Sequence, residues 1–193
     1  MKDPCQSLAI IGVSIYIIIM QEYLTAYDVD GNKVGKISIE EAKSDNPGVY
    51  HKGVWIWFVN SKGEVLVQQR SKNMPSPLKW SFIGGHVDYG EDSLTTCVRE
   101  TKEEIGINVP KENFEFQFKI IRENKWQIAE TFIANLDTSI AEMKLCPNEI
   151  EQVKWLSLDD LKGLLFSCEF LAHDDEYKQR IYEILNNRIK GRK

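Results

Sequence analysis

Residues 84–107 read GGHVDYGEDSLTTCVRETKEEIGI, and this stretch decides the fold of the chain. Its glycines permit a tight backbone that approaches its neighbours closely, and the acidic and hydroxyl residues at 91–93 are typical of a helix start. Core-compatible side chains then recur at helical spacing, and Gly106 predicts the helix end. They are Leu94, Cys97, Val98, Thr101 and Ile105. The stretch therefore predicts a glycine loop followed by one amphipathic helix.

Three glutamates lie on the flank of that helix. At about 100° per residue, Glu100, Glu103 and Glu104 fall within one sector beside the apolar stripe. Clustered carboxylates repel one another, and Mg²⁺ or Mn²⁺, which take oxygen ligands and bind substrate phosphates, would neutralise them. Glutamate-rich helix faces are more often simply solvated, so the spacing has to decide between these interpretations.

The spacing resembles the Nudix box. Gly85, five residues, Glu91, seven residues and then the run of residues 99–107 match that motif at each fixed position. One departure is Thr101, where the family usually has an aliphatic residue, and its methyl group can still face the core. The metal ligands that the resemblance implies are Glu100, Glu103, Glu104 and the backbone carbonyl of Gly84. The structural residues that it implies are Gly85, Gly106 and a charge-assisted pair between Glu91 and Arg99.

Length and charge place limits on the class of protein. The chain has 193 residues, with 24 Lys+Arg against 29 Asp+Glu and a net charge of -5. This length suits one domain with a real core, and the acidic balance argues against duplex nucleic acid as a partner. The cysteines form no CxxC pair, which favours a reduced cytoplasmic protein over a disulfide framework or a zinc site. They are Cys5, Cys97, Cys146 and Cys168.

The first 20 residues differ from the rest of the chain. Residues 8–20 are almost entirely apolar but short for a transmembrane helix, and no signal-peptide cleavage pattern follows them. We predict that residues 1–20 are an extension outside the functional domain, with Met20 as the biological start, and that residues 21–193 form that domain. A membrane tether and an additional buried strand are the alternatives.

The remaining chain alternates strand and helix patterns. A hairpin is predicted at residues 23–39, because Asp30-Gly31 lies between alternating segments. Further strands are predicted at residues 54–59, 64–70, 114–121, 127–134 and 153–156, and further helices at residues 157–165 and 174–188. The sequence therefore predicts an α/β fold in which a mixed β-sheet lies between helices, and the Nudix resemblance implies the same α/β/α sandwich.

Beyond the box, the pattern from Tyr23 onward is similar to the Nudix branch closest to isopentenyl-diphosphate isomerase. His51 and His86 occupy the positions of two metal-binding histidines of that isomerase. Other functional positions differ from it. The position of its catalytic cysteine holds Gly84, a further histidine position holds Ser44, and its acidic pair corresponds to Lys125 and Gln127. An isomerase-like enzyme is therefore the disfavoured alternative.

The resemblance implies a Nudix pyrophosphohydrolase that cleaves a diphosphate linkage in a small nucleoside-diphosphate-linked metabolite. Metal ions would neutralise the diphosphate oxygens and lower the pKa of a water that attacks phosphorus, while a carboxylate takes its proton. Glu100 is one candidate for that carboxylate. Glu149 is the first candidate from a later segment and Glu130 the second, although a surface-charge role suits both equally well. A Nudix domain that binds a nucleotide-like ligand as a sensor is the other alternative, and the complete set of box glutamates favours catalysis over it.

Several side chains outside the helix are candidates for contact with substrate. They are Arg70, Lys79, His86 and Glu151. Solvated loop cations and a hydrogen-bonded structural histidine are the competing interpretations. Aromatic side chains could stack on a base or pack in the core, and they are Trp57, Trp80, Phe118 and Trp126. The expected partner is a small diphosphate-containing molecule, with no nucleic acid and no membrane apart from a tether at residues 8–20, and a homodimer is compatible with the sequence.

Overall fold

The computed structural model describes residues 22–173 and 175–191. The extension predicted at residues 1–20 lies outside these ranges, as does Cys5. The strands are β1 Tyr23–Tyr27, β2 Lys33–Ser38, β3 His51–Val59, β4 Val65–Arg70, β5 Trp80–Ser81, β6 Glu115–Arg122, β7 Gln127–Asn135 and β8 Ile150–Leu156. The helices are α1 Ile39–Ala42, α2 Ser93–Ile105, α3 Leu158–Leu165 and α4 Asp175–Lys190.

The strands form a hairpin and a mixed sheet. β1 and β2 pair antiparallel, as predicted for residues around Asp30-Gly31. In the larger sheet β3 runs parallel to β7, whereas β4 pairs antiparallel with β5 and β8, and β6 pairs antiparallel with β7. The α/β class with a mixed sheet is therefore confirmed.

Helices cover both faces of this sheet. Ile56 and Phe58 of β3 pack in the cluster that includes Cys97 and Ile105 of α2. The intervening Trp57 packs on the opposite face in a second cluster with α3 and α4. The residues of α3 and α4 in that cluster are Leu161, Leu164, Leu165, Tyr177, Ile181 and Leu185. Because strand side chains alternate between faces, β3 is buried on both sides, in agreement with its uninterrupted apolar sequence.

The segment of residues 80–87 is inserted between β3 and β4. These two strands pair only at Val59 and Val65, and then diverge. β5, at the start of the segment, pairs with β4, and the rest of the segment bonds to β3. The bonds to β3 run from Ile56 N–H to Ile83 O (2.8 Å), from Val54 N–H to Gly85 O (2.9 Å) and from Val87 N–H to Lys52 O (3.0 Å). The glycine loop is thus held inside the sheet by backbone hydrogen bonds.

Close approach explains why the first two residues of this loop are glycines. A Cβ atom on Gly84 would lie 2.1 Å from the backbone oxygen of Val54. A Cβ atom on Gly85 would lie 2.0 Å from a carboxylate oxygen of Glu100. A Cβ at Gly84 would clash with the backbone of β3, and a Cβ at Gly85 would displace the buried Glu100 carboxylate.

Helix α2 begins and ends where its sequence indicates. The Asp92 carboxylate caps it by accepting a hydrogen bond from the Thr95 N–H at 2.8 Å. Gly106 adopts the left-handed conformation, with φ 73°, and ends the helix. Thr101 is fully buried, and its hydroxyl donates to the Cys97 carbonyl at 2.6 Å, so this departure from the usual aliphatic residue is accommodated within the helix.

Two strands extend beyond their predicted ends. β3 begins at His51 rather than at residue 54, because its parallel pairing with β7 continues to Gln127. β8 begins at Ile150 rather than at residue 153, because its pairing with β4 continues to Arg70. Both additions are largely polar, so hydrophobic alternation does not reveal them. No helix within the two described ranges is long and apolar enough to cross a membrane.

The position of the glycine loop between β3 and β4 predicts that two glycine-to-alanine variants differ in stability. Gly84→Ala places a methyl group against the backbone of β3, so it should lower the free energy of unfolding by about 1–3 kcal/mol, measured by urea denaturation. The matched control is Gly163→Ala in α3, where a Cβ has no neighbour within 4 Å. Because alanine favours helix, the control should stabilise by up to about 1 kcal/mol. Equal stability of the two variants would contradict this account of the glycine loop.

Candidate active site

Three carboxylates from two parts of the chain converge beside the glycine loop. Glu100 and Glu104 of α2 and Glu149, just before β8, each place an oxygen within 4.8 Å of the others. The two helix residues are buried, at 8% and 4% exposure, and Glu149 is half-buried. Oxygen ligands of this kind are those that Mg²⁺ and Mn²⁺ prefer. We call these three side chains the acidic group.

Burial raises the pKa of each member of the acidic group, and the charges of nearby carboxylates raise it further. For Glu104, burial raises the pKa well above its usual value, and the charges of Glu100 and Glu149 raise it further. Burial likewise raises the pKa of Glu100, although the adjacent Arg99 opposes the increase. The pKa of Glu149 is raised by burial and by the charge of Glu103. A divalent cation would relieve this repulsion, so the donor set and its charge both fit such an ion.

Arg99 connects the glycine loop to the helix. Its Nε lies 3.2 Å from the nearer oxygen of Glu91, and its Nη1 lies 2.9 Å from Glu100 and 3.0 Å from Glu103. Its Nη2 donates to the carbonyl of His86 at 2.9 Å. The structure therefore brings Glu91 and Arg99 together at the position that the resemblance implies.

The three helix glutamates differ in burial, although Glu100 and Glu103 both contact the Arg99 Nη1. Glu100 and Glu104 turn towards the sheet and are buried, whereas Glu103 turns towards Arg99, four residues before it. The third member of the acidic group is instead Glu149, whose position depends on the path of the chain into β8. Whether Glu103 or Glu149 contributes a ligand stays a prediction.

Gln68 is a site residue that the sequence analysis missed. It is 3% exposed on β4, and its Nε2 lies 3.3 and 3.4 Å from the two oxygens of Glu104. The Gly84 N–H approaches the same carboxylate at 3.3 Å. The available signal was a glutamine two residues after the core residue Leu66, and so on the inward face of a buried strand.

Arg70 lies beside the acidic group. Its Nε donates to the Pro75 carbonyl at 2.7 Å. Burial lowers the pKa of Arg70, and the charges of Glu104 and Glu149 partly oppose this lowering. The next residue, Ser71, donates its N–H to the Glu149 carbonyl at 2.8 Å. The strand end that carries Arg70 is therefore fastened to the segment that carries Glu149.

The other candidates are more distant from the acidic group or engaged elsewhere. The Lys79 ammonium donates to the Cys168 carbonyl, and Glu151 is exposed on β8. Glu130, the second candidate for the later carboxylate, forms an ion pair with Lys52 at 2.9 Å. Three of the four aromatic candidates pack in the core rather than on an open face, and they are Trp57, Trp80 and Phe118.

His86 and His51 form a pair of neutral imidazoles. Their ring centroids lie 5.2 Å apart. Burial lowers the pKa of His86 to about 3 and that of His51 to about 4, so both are uncharged near neutral pH. They therefore contribute hydrogen-bonding groups rather than positive charge near the glycine loop.

A cavity of about 720 Å³ opens between β6 and the start of α4. Its lining includes His173, Tyr177, Arg122 and Arg180. The His173 ring packs on Tyr177 at 4.9 Å and edge-on against Trp55 at 5.6 Å. The cavity therefore combines aromatic rings with guanidinium groups.

The Arg122 side chain, which lines this cavity, connects β6 to β7. Its Nη1 donates to Gln127 at 3.0 Å. Gln127 in turn packs on Gly53, where a Cβ would lie 2.6 Å from the Gln127 Nε2 and 3.3 Å from the Gly85 carbonyl oxygen. The cavity wall on β6 is therefore separated from the glycine loop by two strands, β7 and β3.

The chain is similar to several Nudix hydrolases. Nudix hydrolase 3 of Arabidopsis thaliana is 33% identical over 53% of this chain, which spans 14% of that protein. An uncharacterized Nudix hydrolase of Listeria innocua is 27% identical over 72% of this chain and 82% of its own length. The asymmetrical bis(5'-nucleosyl)-tetraphosphatase of Rattus norvegicus is 31% identical over 64% of this chain and 80% of its own.

The similarity to the isomerase branch is weaker. An isopentenyl-diphosphate Delta-isomerase of Serratia proteamaculans is 32% identical over 46% of this chain and 50% of its own length.

Among solved structures, the MutT protein of Methanosarcina mazei matches with a TM-score of 0.56 and 27% identity, over 72% of this chain and 94% of that one. A NUDIX domain family model matches residues 49–176. This match covers about two thirds of the chain, including the glycine loop and α2, and shows that the chain belongs to the Nudix hydrolase family.

Proposed function

We propose that the chain is a metal-dependent pyrophosphohydrolase that cleaves the diphosphate linkage of a small nucleoside-diphosphate-linked metabolite. The observation that carries this proposal is the acidic group, in which Glu100, Glu104 and Glu149 oxygens lie within 4.8 Å of one another beside the glycine loop. These residues would hold Mg²⁺ or Mn²⁺, with the Gly84 carbonyl and Glu103 as further ligands. When bound, the cations would neutralise diphosphate oxygens and make water a stronger nucleophile.

In this mechanism the chain's own groups position the diphosphate and accept a proton. Water oxygen attacks phosphorus, the bridging phosphorus–oxygen bond breaks, and the electron pair leaves with the other phosphate. Glu149 accepts the water proton, since it is half-buried with a raised pKa and therefore a stronger base than an exposed carboxylate. Glu100 is the second candidate for this proton. Arg70 offers N–H groups to the phosphate oxygens from beside Glu149.

A second observation behind the proposal is the cavity on the α4 side of the sheet, whose lining would suit an aromatic base. His173 offers a ring for stacking, whereas Tyr177 is buried, and Arg122 and Arg180 offer donors to phosphate or ribose oxygens. Its volume of about 720 Å³ lies in the usual range for a small-molecule site. The name of the rat relative, a bis(5'-nucleosyl)-tetraphosphatase, supports the same substrate class.

The geometry at Gly84 favours hydrolysis over isomerisation. The isomerase places its catalytic cysteine at this position, and here a Cβ would lie 2.1 Å from the Val54 backbone oxygen. This backbone therefore leaves no room for a cysteine. Retention of the buried carboxylates Glu100 and Glu104 supports catalysis over a purely sensing role.

Substrate class is tested by incubating the full chain with Mg²⁺ or Mn²⁺ and a substrate panel in H₂¹⁸O. The panel contains NDP-sugars, dinucleotides, ADP-ribose, nucleoside di- and triphosphates, coenzyme A and isopentenyl diphosphate. We expect release of a nucleoside monophosphate, with one ¹⁸O in one of the two products by mass spectrometry. Formation of dimethylallyl diphosphate, or tight binding without turnover across the panel, would overturn the proposal.

Replacing the proposed base should slow the reaction without preventing folding. Glu149→Gln preserves the size of the side chain but removes the proton acceptor, so we expect kcat to fall by about 10²–10⁴-fold. Steady-state kinetics measures this loss, with Glu112→Gln as an exposed control. A kcat for Glu149→Gln equal to that of the control would show that another group accepts the proton.

Replacing an arginine that lines the cavity should weaken substrate binding more than it slows turnover. Arg180→Gln removes a guanidinium from the cavity wall, and we expect KM to rise by about tenfold with kcat nearly unchanged. Lys119→Gln is the matched control, because Lys119 is an exposed cation on β6. Equal KM values for the two variants would place the nucleoside elsewhere.

The raised pKa of Glu104 predicts how its contribution to stability changes with pH. The folded state holds a proton that the unfolded chain releases, so the carboxyl stabilises the metal-free protein at low pH and this contribution is lost as pH rises through the folded pKa. Glu104→Gln carries no titrating group. In the absence of metal, the free energy of unfolding of Glu104→Gln relative to wild type should therefore increase from pH 5.5 to pH 8.

Binding of a divalent metal should oppose this loss of wild-type stability at high pH. Since a cation competes with the proton on the carboxylate, the increase in Tm of the wild type with Mn²⁺ should be larger at pH 8 than at pH 5.5. Both quantities are measured by thermal and urea unfolding. The difference between variants isolates Glu104 from His51 and His86, whose lowered pKa values act in the opposite direction. A pH-independent difference would contradict the assignment.

A further inference from the structure

We propose that Gln68 is a positioning residue that orients the Glu104 carboxylate for a divalent cation without supplying a positive charge that would compete with that cation. This inference rests on the proposed function, because it assigns Glu104 to the metal site. It concerns a residue on β4, outside the helix that carries the motif glutamates.

The geometry fixes the orientation of the Gln68 amide. Its Nε2 donates to the Phe82 carbonyl at 3.0 Å and lies 3.3 and 3.4 Å from the two oxygens of Glu104. A carbonyl oxygen only accepts hydrogen bonds, so the nitrogen, rather than the oxygen, must face Phe82. The same nitrogen therefore faces Glu104, and it spans both of its oxygens.

The neutrality of this donor distinguishes Glu104 from its neighbours. Arg99 forms ion pairs with Glu91, Glu100 and Glu103. Within the described ranges, no lysine or arginine forms an ion pair with Glu104, which accepts hydrogen bonds from the Gln68 amide and the Gly84 N–H. Neutral donors hold a carboxylate in place without adding a positive charge beside it, so no side-chain cation competes with a metal ion for Glu104.

The Oε1 atom of Gln68 gives a second reason to assign this residue to the metal site. Its Oε1 is buried and has no hydrogen-bond partner among the described residues. A buried acceptor of this kind is costly unless a donor satisfies it. Mg²⁺ and Mn²⁺ sites usually retain water molecules, which are donors of the right size. Gln68 is therefore suited both to Glu104 and to the hydrated cation.

The test compares Mn²⁺ binding by isothermal titration calorimetry in wild type, Gln68→Met and Gln152→Met. Methionine matches glutamine in size but offers no amide, so we expect Gln68→Met to bind Mn²⁺ about tenfold more weakly. Gln152 is an exposed glutamine on β8 that donates to Gln69 at 2.7 Å, so its replacement should leave the Kd unchanged. Activity should distinguish the two variants in the same way. Gln68→Met should need more Mg²⁺ than Gln152→Met for half-maximal rate, and its substrate KM at saturating Mg²⁺ should be unchanged.

A double-mutant cycle separates positioning from packing. In the Glu104→Gln background, adding Gln68→Met should change the Kd for Mn²⁺ by less than about twofold, because the partner of the amide is already altered. A full tenfold effect in that background would show that Gln68 acts on another group and would overturn the proposal. A Gln68→Met protein with lower Tm but the Kd of wild type would overturn it as well, since Gln68 would then serve packing alone.

The same measurements distinguish failure of this inference from failure of the proposed function. If wild type neither binds Mn²⁺ nor hydrolyses any diphosphate in the panel, the proposed function fails, and the role of Gln68 fails with it. If wild type does both and Gln68→Met behaves like Gln152→Met, only the positioning role is overturned.

Discussion

Placing Glu100 and Glu104 together in the interior is the constraint on which the rest of the structure depends. Two neighbouring carboxylates out of contact with water are costly unless charge or hydrogen bonds compensate them. Arg99 compensates Glu100, while Gln68 and the Gly84 N–H hold Glu104. The uneven distribution of charge leaves one carboxylate without a cationic partner among the described residues. Local stability is thus lower where the chemistry requires a free negative charge, as is common at functional sites.

The glycine loop makes this arrangement possible because it lies within the sheet. A loop on the surface could not bring its backbone N–H groups to the inner side of α2. Insertion between β3 and β4 gives residues 80–87 hydrogen-bonding partners on both sides, and Gly84 and Gly85 allow the contact distances. The rigidity of the sheet is thereby transferred to the site.

Most of the fold and the helix part of the site could be predicted from the sequence. Hydrophobic alternation and turn residues located most elements, and fixed spacing identified the glycine loop and α2. Contacts between distant segments were harder to predict. Helical geometry placed Glu103 beside Glu100, but it did not indicate that both side chains would contact the Arg99 Nη1. The position of Glu149 and the inward face of Gln68 depend on how β8 and β4 pair, and a polar residue in a strand does not reveal its partners.

The fastening of Ser71 to the segment before β8 has a consequence for how related chains can diverge. Its N–H donates to the Glu149 carbonyl and its hydroxyl donates to the Asn148 carbonyl. The end of β4 and the segment before β8 are therefore held together at Ser71. Residues 72–78 extend from that point and return to β5 without carrying any of the three carboxylates. Since the entropy cost of lengthening a loop grows slowly, insertions there would be tolerated. The length of this loop can therefore vary among related chains without displacing the three carboxylates.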